Sequence, residues 1–134
     1  MLSNILKDSV NTPKTIGYKL NNGLATLADE EDACTKPLWA YKFALVFSEA
    51  NIEKCQEAAC KDPGYAYYFA MNIPGADIGK CCEGACKDSW YAYYFALNIS
   101  GANIEKCQEA ACKDPYVKIL IMHICLPGLF LEQI

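Results

Sequence analysis

The fourteen residues ANIEKCQEAACKDP occur at 50–63 and again, letter for letter, at 102–115. A weaker copy, ADIGKCCEGACKDS, fills 76–89, so the true period is half the offset. Cys34, Cys60, Cys86 and Cys112 mark it, each standing 26 residues after the last. A fixed period of this length is the signature of one supersecondary unit stacked against copies of itself. It excludes most folds open to a chain of this size before any residue is read for chemistry.

One unit, residues 86–111, reads CKDSWYAYYFALNISGANIEKCQEAA. Asp88 suits an N-cap, since its carboxylate can accept from the free N–H groups of a first turn. The matching Asp62 and Asp114 precede Pro63 and Pro115, and proline is favoured at the first helical position. Ala92, Phe95, Ala96 and Ile99 then form an i, i+3, i+4, i+7 stripe. Gly101, like Gly75 one unit earlier, is expected to end this helix in the left-handed region. Asn103, with Asp77 and Asn51 as counterparts, opens a second helix whose apolar face carries Ile104, Cys107 and Ala111. Each helix is about ten residues long, too short to persist alone in water, so each must bury its stripe against a neighbour.

The expected fold is all-α: a right-handed α-solenoid of 26-residue helix-turn-helix repeats with degenerate capping helices at both ends. It is read as one domain over 1–134, with 1–33 as the N-terminal cap, 34–111 as three repeats, and 112–134 as a degenerate fourth repeat and C-terminal cap. The first 33 residues keep helical patches around Ile5-Leu6 and from Leu20 to Leu27 but lose the repeat. Atypical end units are what a repeat array needs to close its open faces.

The phrase DP…YAYYFA…N…GANIEKCQEAACKDP resembles short α-helical repeats of the leucine-rich-repeat-variant type, in which an Asp-Pro-opened helix pairs with a second helical segment. The resemblance covers residues 34–116 and is one of layout, since Cys and Ile stand where that family often has Leu. It implies a curved stack of helices with a role in binding, and it implies no catalytic residue.

Nine cysteines invite three readings. Four open the units, three (Cys55, Cys81, Cys107) lie inside the second helices, and Cys82 and Cys125 are extra. As buried thiols they act as small apolar fillers. As metal ligands they need clustering, and only Cys81-Cys82 with Cys86 is dense; within a helix, a spacing of five puts two thiols about 140° apart. As disulfides they would call for an even framework and an export signal, whereas the count is odd and MLSNILKDSV lacks a basic start and an uninterrupted apolar stretch. The expectation is interior filler in a reducing cytosol, with no cofactor and no metal ligand.

Nine tyrosines are the other unusual count. Tyr41, Tyr67 and Tyr93 recur in all three units and are expected to pack between helices. On a helical wheel Tyr93 and Leu97 fall on the far side of the first helix with Tyr94 between, so the three tyrosines form a ladder flanked by Lys42, Tyr68 and Tyr94 and by Leu45, Met71 and Leu97. These six are the candidate partner-binding residues, because tyrosine and methionine are enriched at protein interfaces.

No catalytic residue is assigned. The one histidine, His123, lies in the apolar ILIMHICL, and no glycine-rich phosphate loop or GxSxG is present. Net charge is −4 and the chain contains no arginine, which argues against direct nucleic-acid binding. The acidic run Asp29 to Asp32 reads as a solvated helix face. The apolar stretch from Ile119 to Leu131 is shorter than the roughly 20 residues a bilayer span needs, and Pro127-Gly128 interrupts it, so no membrane partner is expected. The functional expectation is a non-enzymatic, cytoplasmic protein–protein interaction module. Self-association through the end repeats is compatible with it. One alternative is an inhibitor from a phage or mobile element, made against a host defence complex and using the same surface. The lysine-for-arginine composition, typical of a low-GC genome, suits that reading. The other alternative is a cysteine-ligated metal-binding protein.

Overall fold

The structure, a computed structural model, describes residues 15–122. Their regular structure is all helical, and no strand occurs among the described residues. The chain divides into two compact units, Met1–Ala59 and Cys60–Ile134. The first contains α1 (Ile16–Asn21), a 3-10 turn (Leu27–Asp29), α2 (Glu30–Ala33), α3 (Pro37–Val46) and α4 (Ile52–Ala59). The second contains α5 (Pro63–Asn72), α6 (Ile78–Ala85), α7 (Ser89–Asn98), α8 (Ile104–Ala111) and α9 (Pro115–Leu120). The helix starts at Pro37, Pro63, Ser89 and Pro115, and at Ile52, Ile78 and Ile104, recur at the spacing of the sequence repeat. Helices pack as neighbouring pairs: α3 on α4, α5 on α6, and α7 on α8. In the second unit α7 also meets α5, α6 and α9.

The caps explain why the helices start where they do. Asp62 and Asp88 accept from the backbone N–H groups of Tyr65 and Tyr91 at 3.1 Å. Asp114 accepts from Tyr116 and Val117. Asn51, Asp77 and Asn103 do the same for the second helices, each accepting from a lysine N–H three residues on at 3.1 Å. These bonds satisfy donors that the first turn of a helix otherwise leaves open. Among the repeat helices α3 departs, because Lys36 stands where the other repeats have aspartate and makes no side-chain cap bond.

The exits differ from the sequence expectation. The first helices of the second unit end at Ile73 and Ile99 in extended conformation, before any glycine is reached. The chain then makes a four-residue turn, with Ala76 N–H donating to the Ile73 carbonyl and Ala102 to that of Ile99. Gly75 (φ 84°) and Gly101 (φ 85°) hold the third position of that turn. Pro74 and Ser100 precede them, the arrangement of a type II turn, whose third position needs positive φ. The glycines therefore shape the interhelical turn and do not cap the helix.

The apolar stripes are buried as their spacing requires. Ala40, Phe43, Ala66, Phe69, Ala92 and Phe95 are all fully buried, as are Cys55, Cys81 and Cys107 on the second helices. The stripe on the second helices is wider than Ile104, Cys107 and Ala111. Ile104 is only half-buried, whereas Gln56, Gln108 and Ala110 are buried. The far end of the second unit closes around Ala92, Tyr93, Ala110, Ala111, Val117 and Ile121.

The N-terminal segment corrects two expectations. Helix α1 stops at Asn21, so residues 22–26 are not helical, and Gly23 at φ 69° marks the break. The acidic run is more than a solvated face. Asp29 accepts from the Thr26 N–H and pairs with Lys19 at 3.0 Å, and the Thr26 bond, ahead of that pair, holds its carboxyl below the usual range. Glu30 accepts from the Asn51 N–H at 2.7 Å. The expectations for Ile5-Leu6, for His123, for Cys125 and for the apolar tail beyond Met122 lie outside the described residues.

Candidate functional site

The exposed side of the first helices carries large side chains, but Tyr93, which the wheel puts on the far side with Leu97, is buried. Leu45, Tyr68, Met71, Tyr94 and Leu97 are all exposed. Lys42 is half-buried, its ammonium 5.4 Å from the centre of the Trp39 ring, within cation–π range. The recurrent tyrosines face the other way in the second unit: Tyr67 and Tyr93 are buried, and the Tyr67 hydroxyl accepts from Asn98 at 2.9 Å.

In the second unit these residues join a wider aromatic surface that the wheel missed. Trp90 is exposed and lies 6.2 Å from Tyr94. Tyr91 links Tyr68, at 6.4 Å, to Tyr94, at 5.9 Å. Tyr67 spans from Tyr68, at 5.4 Å, to Tyr94, at 6.2 Å. Gly64 makes room for this, because a Cβ there would sit 3.1 Å from the Tyr91 ring tip. Burial and then the Tyr68 hydroxyl raise the Tyr91 phenol, with the Asp62 and Asp88 carboxylates adding to the effect. The aromatic band is thus bordered by negative charge. Trp90 was legible in principle, as the bulky residue in a slot held by Gly64 one unit earlier.

The cysteines are paired across each helix pair rather than along one helix. Cys34 Sγ lies 3.7 Å from Cys55, Cys60 3.8 Å from Cys81, and Cys86 3.8 Å from Cys107. In every case the cysteine opening a unit meets the one on that unit's second helix, 21 residues on. The expected dense group Cys81-Cys82-Cys86 is divided. Adjacent residues on a helix point about 100° apart, so Cys81 turns to Cys60 while Cys82 turns toward Cys86 and Cys107. Cys82 lies 3.9 Å from Cys86 and 3.4 Å from Cys107. The result is a three-thiol cluster, with Cys82 and Cys107 buried and Cys86 half-buried.

The electrostatics of these thiols differ. The Cys107 thiol, then that of Cys82, together with Lys106 and Lys113, bring Cys86 down to about 7 against the effect of burial. Cys107 is pushed up, mainly by its bond to Cys86 and by burial. Burial raises Cys82, although a backbone bond from Asn103 and the Cys107 thiol work the other way. In the first unit burial takes Cys55 up to about 12. Low-pKa thiols are the reactive and ligating ones, so the chemistry of the cluster is focused on Cys86.

No helix among the described residues is long and apolar enough to cross a membrane. No family model, curated protein or solved structure matches the chain.

Proposed function

We propose that the protein is a non-enzymatic protein–protein interaction module, with α5–α6 and α7–α8 as successive turns of a right-handed α-solenoid. The observation that carries the reading is the chain of ring contacts from Tyr68 through Tyr91 to Tyr94 and Trp90, with exposed Met71 and Leu97 three residues beyond Tyr68 and Tyr94 on α5 and α7. Aromatic side chains lose little rotamer freedom when they anchor a partner, and tryptophan and tyrosine dominate binding hot spots. The Asp62 and Asp88 carboxylates beside Tyr91 favour a partner segment that carries lysine or arginine next to an apolar anchor. Such a cation gains from both the aromatic faces and the carboxylates. The inhibitor alternative would use this same band against a larger target.

The test is selection of displayed peptides on the immobilised full chain, repeated on Tyr68→Ala/Tyr94→Ala and on Trp90→Ala. The expected result is a consensus with an apolar residue flanked by basic ones, bound at least tenfold more weakly by both variants while their helical circular dichroism is unchanged. That factor corresponds to about 1.4 kcal/mol, below the usual threshold of a hot spot. Peptides bound equally by wild type and both variants would remove the band from the account.

A further inference from the structure

The middle copy of the repeat departs from its neighbours at one slot of the second helix. Gln56 and Gln108 hold that slot in the flanking copies, and Cys82 holds it in the middle one. All three side chains are buried. Packing therefore tolerates glutamine there, and an apolar filler is not what the position demands. The exchange adds a third sulfur to a pair that every unit already has.

We propose that Cys82, Cys86 and Cys107 form a three-coordinate site for a soft monovalent cation, Cu(I). The three sulfur separations define a triangle whose centre lies about 2.1 Å from each sulfur, close to the ~2.3 Å of a metal–thiolate bond. Thiolate sulfur selects Cu(I) and zinc among the common biological cations. Zinc takes four ligands in a closed site, and among the described residues no fourth histidine, cysteine or carboxylate completes this group. Three sulfurs, with no fourth such donor among the described residues, match the low coordination number of Cu(I).

The surroundings support binding with loss of protons. Each thiol releases its proton to solvent as its sulfur–metal bond forms. Cys86 is the entry corner: it is half-buried and lies within the field of the Lys106 and Lys113 ammonium groups. Lys113 and Lys106, the latter also paired with Glu83 at 3.7 Å, reduce the negative charge that three thiolates around a single positive ion would leave. The Asn103 N–H supplies a donor to the Cys82 sulfur. Helix geometry fixes two corners, since Cys82 and Cys86 are four residues apart at the end of α6. Packing of α8 brings the third.

Titration of Cu(I) into the reduced full chain under anaerobic conditions, against a chromophoric Cu(I) chelator, tests the site. The first equivalent is expected to show three sulfur neighbours by X-ray absorption. Its affinity should fall at least tenfold in Cys82→Gln, which restores the residue of the flanking copies, and in Cys86→Ser. Cys34→Ser and Cys60→Ser, which break the two-thiol pairs, should leave it unchanged. A first equivalent with two sulfur neighbours overturns the proposal. So does an affinity indifferent to Cys82→Gln, or displacement of Cu(I) by equimolar zinc.

Discussion

Two glycines on one helix separate local propensity from packing. Helix α6 contains Gly79 and Gly84, where the flanking copies have glutamate and alanine. By propensity alone, Gly→Ala at either position should stabilise the helix by up to about 1 kcal/mol. The structure separates them. A Cβ at Gly79 would meet only the capping Asp77 Oδ1 at 3.3 Å, and the flanking copies carry Glu53 and Glu105 in this slot beside the equivalent caps. A Cβ at Gly84 would stand 2.7 Å from the Cys60 carbonyl oxygen and 2.9 Å from the Ala66 Cβ. Both are in the body of the unit, and backbone must move to admit it. Inserting a methyl group into such a site costs about 1–3 kcal/mol. Because the propensity gain is shared, the difference between the variants isolates the steric cost. Gly79→Ala should raise the urea midpoint, Gly84→Ala should lower it, and the two should differ by about 1–3 kcal/mol at equal slope. Equal stabilisation by both would refute the close approach of α6 to Cys60 and Ala66.

Phe95 is fully buried on α7, so Phe95→Ala should cost about 3–5 kcal/mol in urea unfolding followed by circular dichroism; a cost below 1 kcal/mol would remove it from the core. Cys86, held near 7, should be alkylated by iodoacetamide with a rate that rises as pH increases through about 7 and levels off above it, because the thiolate is the nucleophile and its fraction grows as the proton leaves. Mass mapping should find Cys107, whose thiol is pushed up and buried, unmodified over the same range. Alkylation of Cys86 that follows an ordinary thiol, with a midpoint above 8, would remove the Cys107 and lysine contacts from the account.

Much of the local architecture could be read from the letters. Asp62, Asp88 and Asp114 cap the first helices, and Asn51, Asp77 and Asn103 the second, because a cap bond joins residues two or three apart and depends on nothing beyond them. The stripe Ala92, Phe95, Ala96 and Ile99 was legible for the same reason: helical periodicity turns spacing into direction. The glycine turns were placed correctly but given the wrong task. Positive φ can be inferred from a glycine, but the exit angle of Ile73 and Ile99 depends on where the next helix lies.

The candidate sites divide along the same line. Exposure of Met71 and Leu97 followed from helical position within a single element, whereas helical position alone did not separate exposed Tyr94 from buried Tyr93. Trp90 and Tyr91 joined them only because α5 and α7 lie side by side with Gly64 leaving room. The pair Cys82 and Cys86, four apart on one helix end, was visible in the sequence, whereas the third thiol was not. Cys107 is 25 residues from Cys82 and sits on a separate helix, and no rule of spacing within a helix reaches across a turn, a whole helix and another turn. The repeat, its caps and its buried stripes are properties of short stretches of chain and follow from the letters alone. The aromatic band exists only once α5 and α7 pack, and the thiol triangle only once α6 and α8 do, because hydrophobic burial brings together residues whose positions in the chain say nothing of one another.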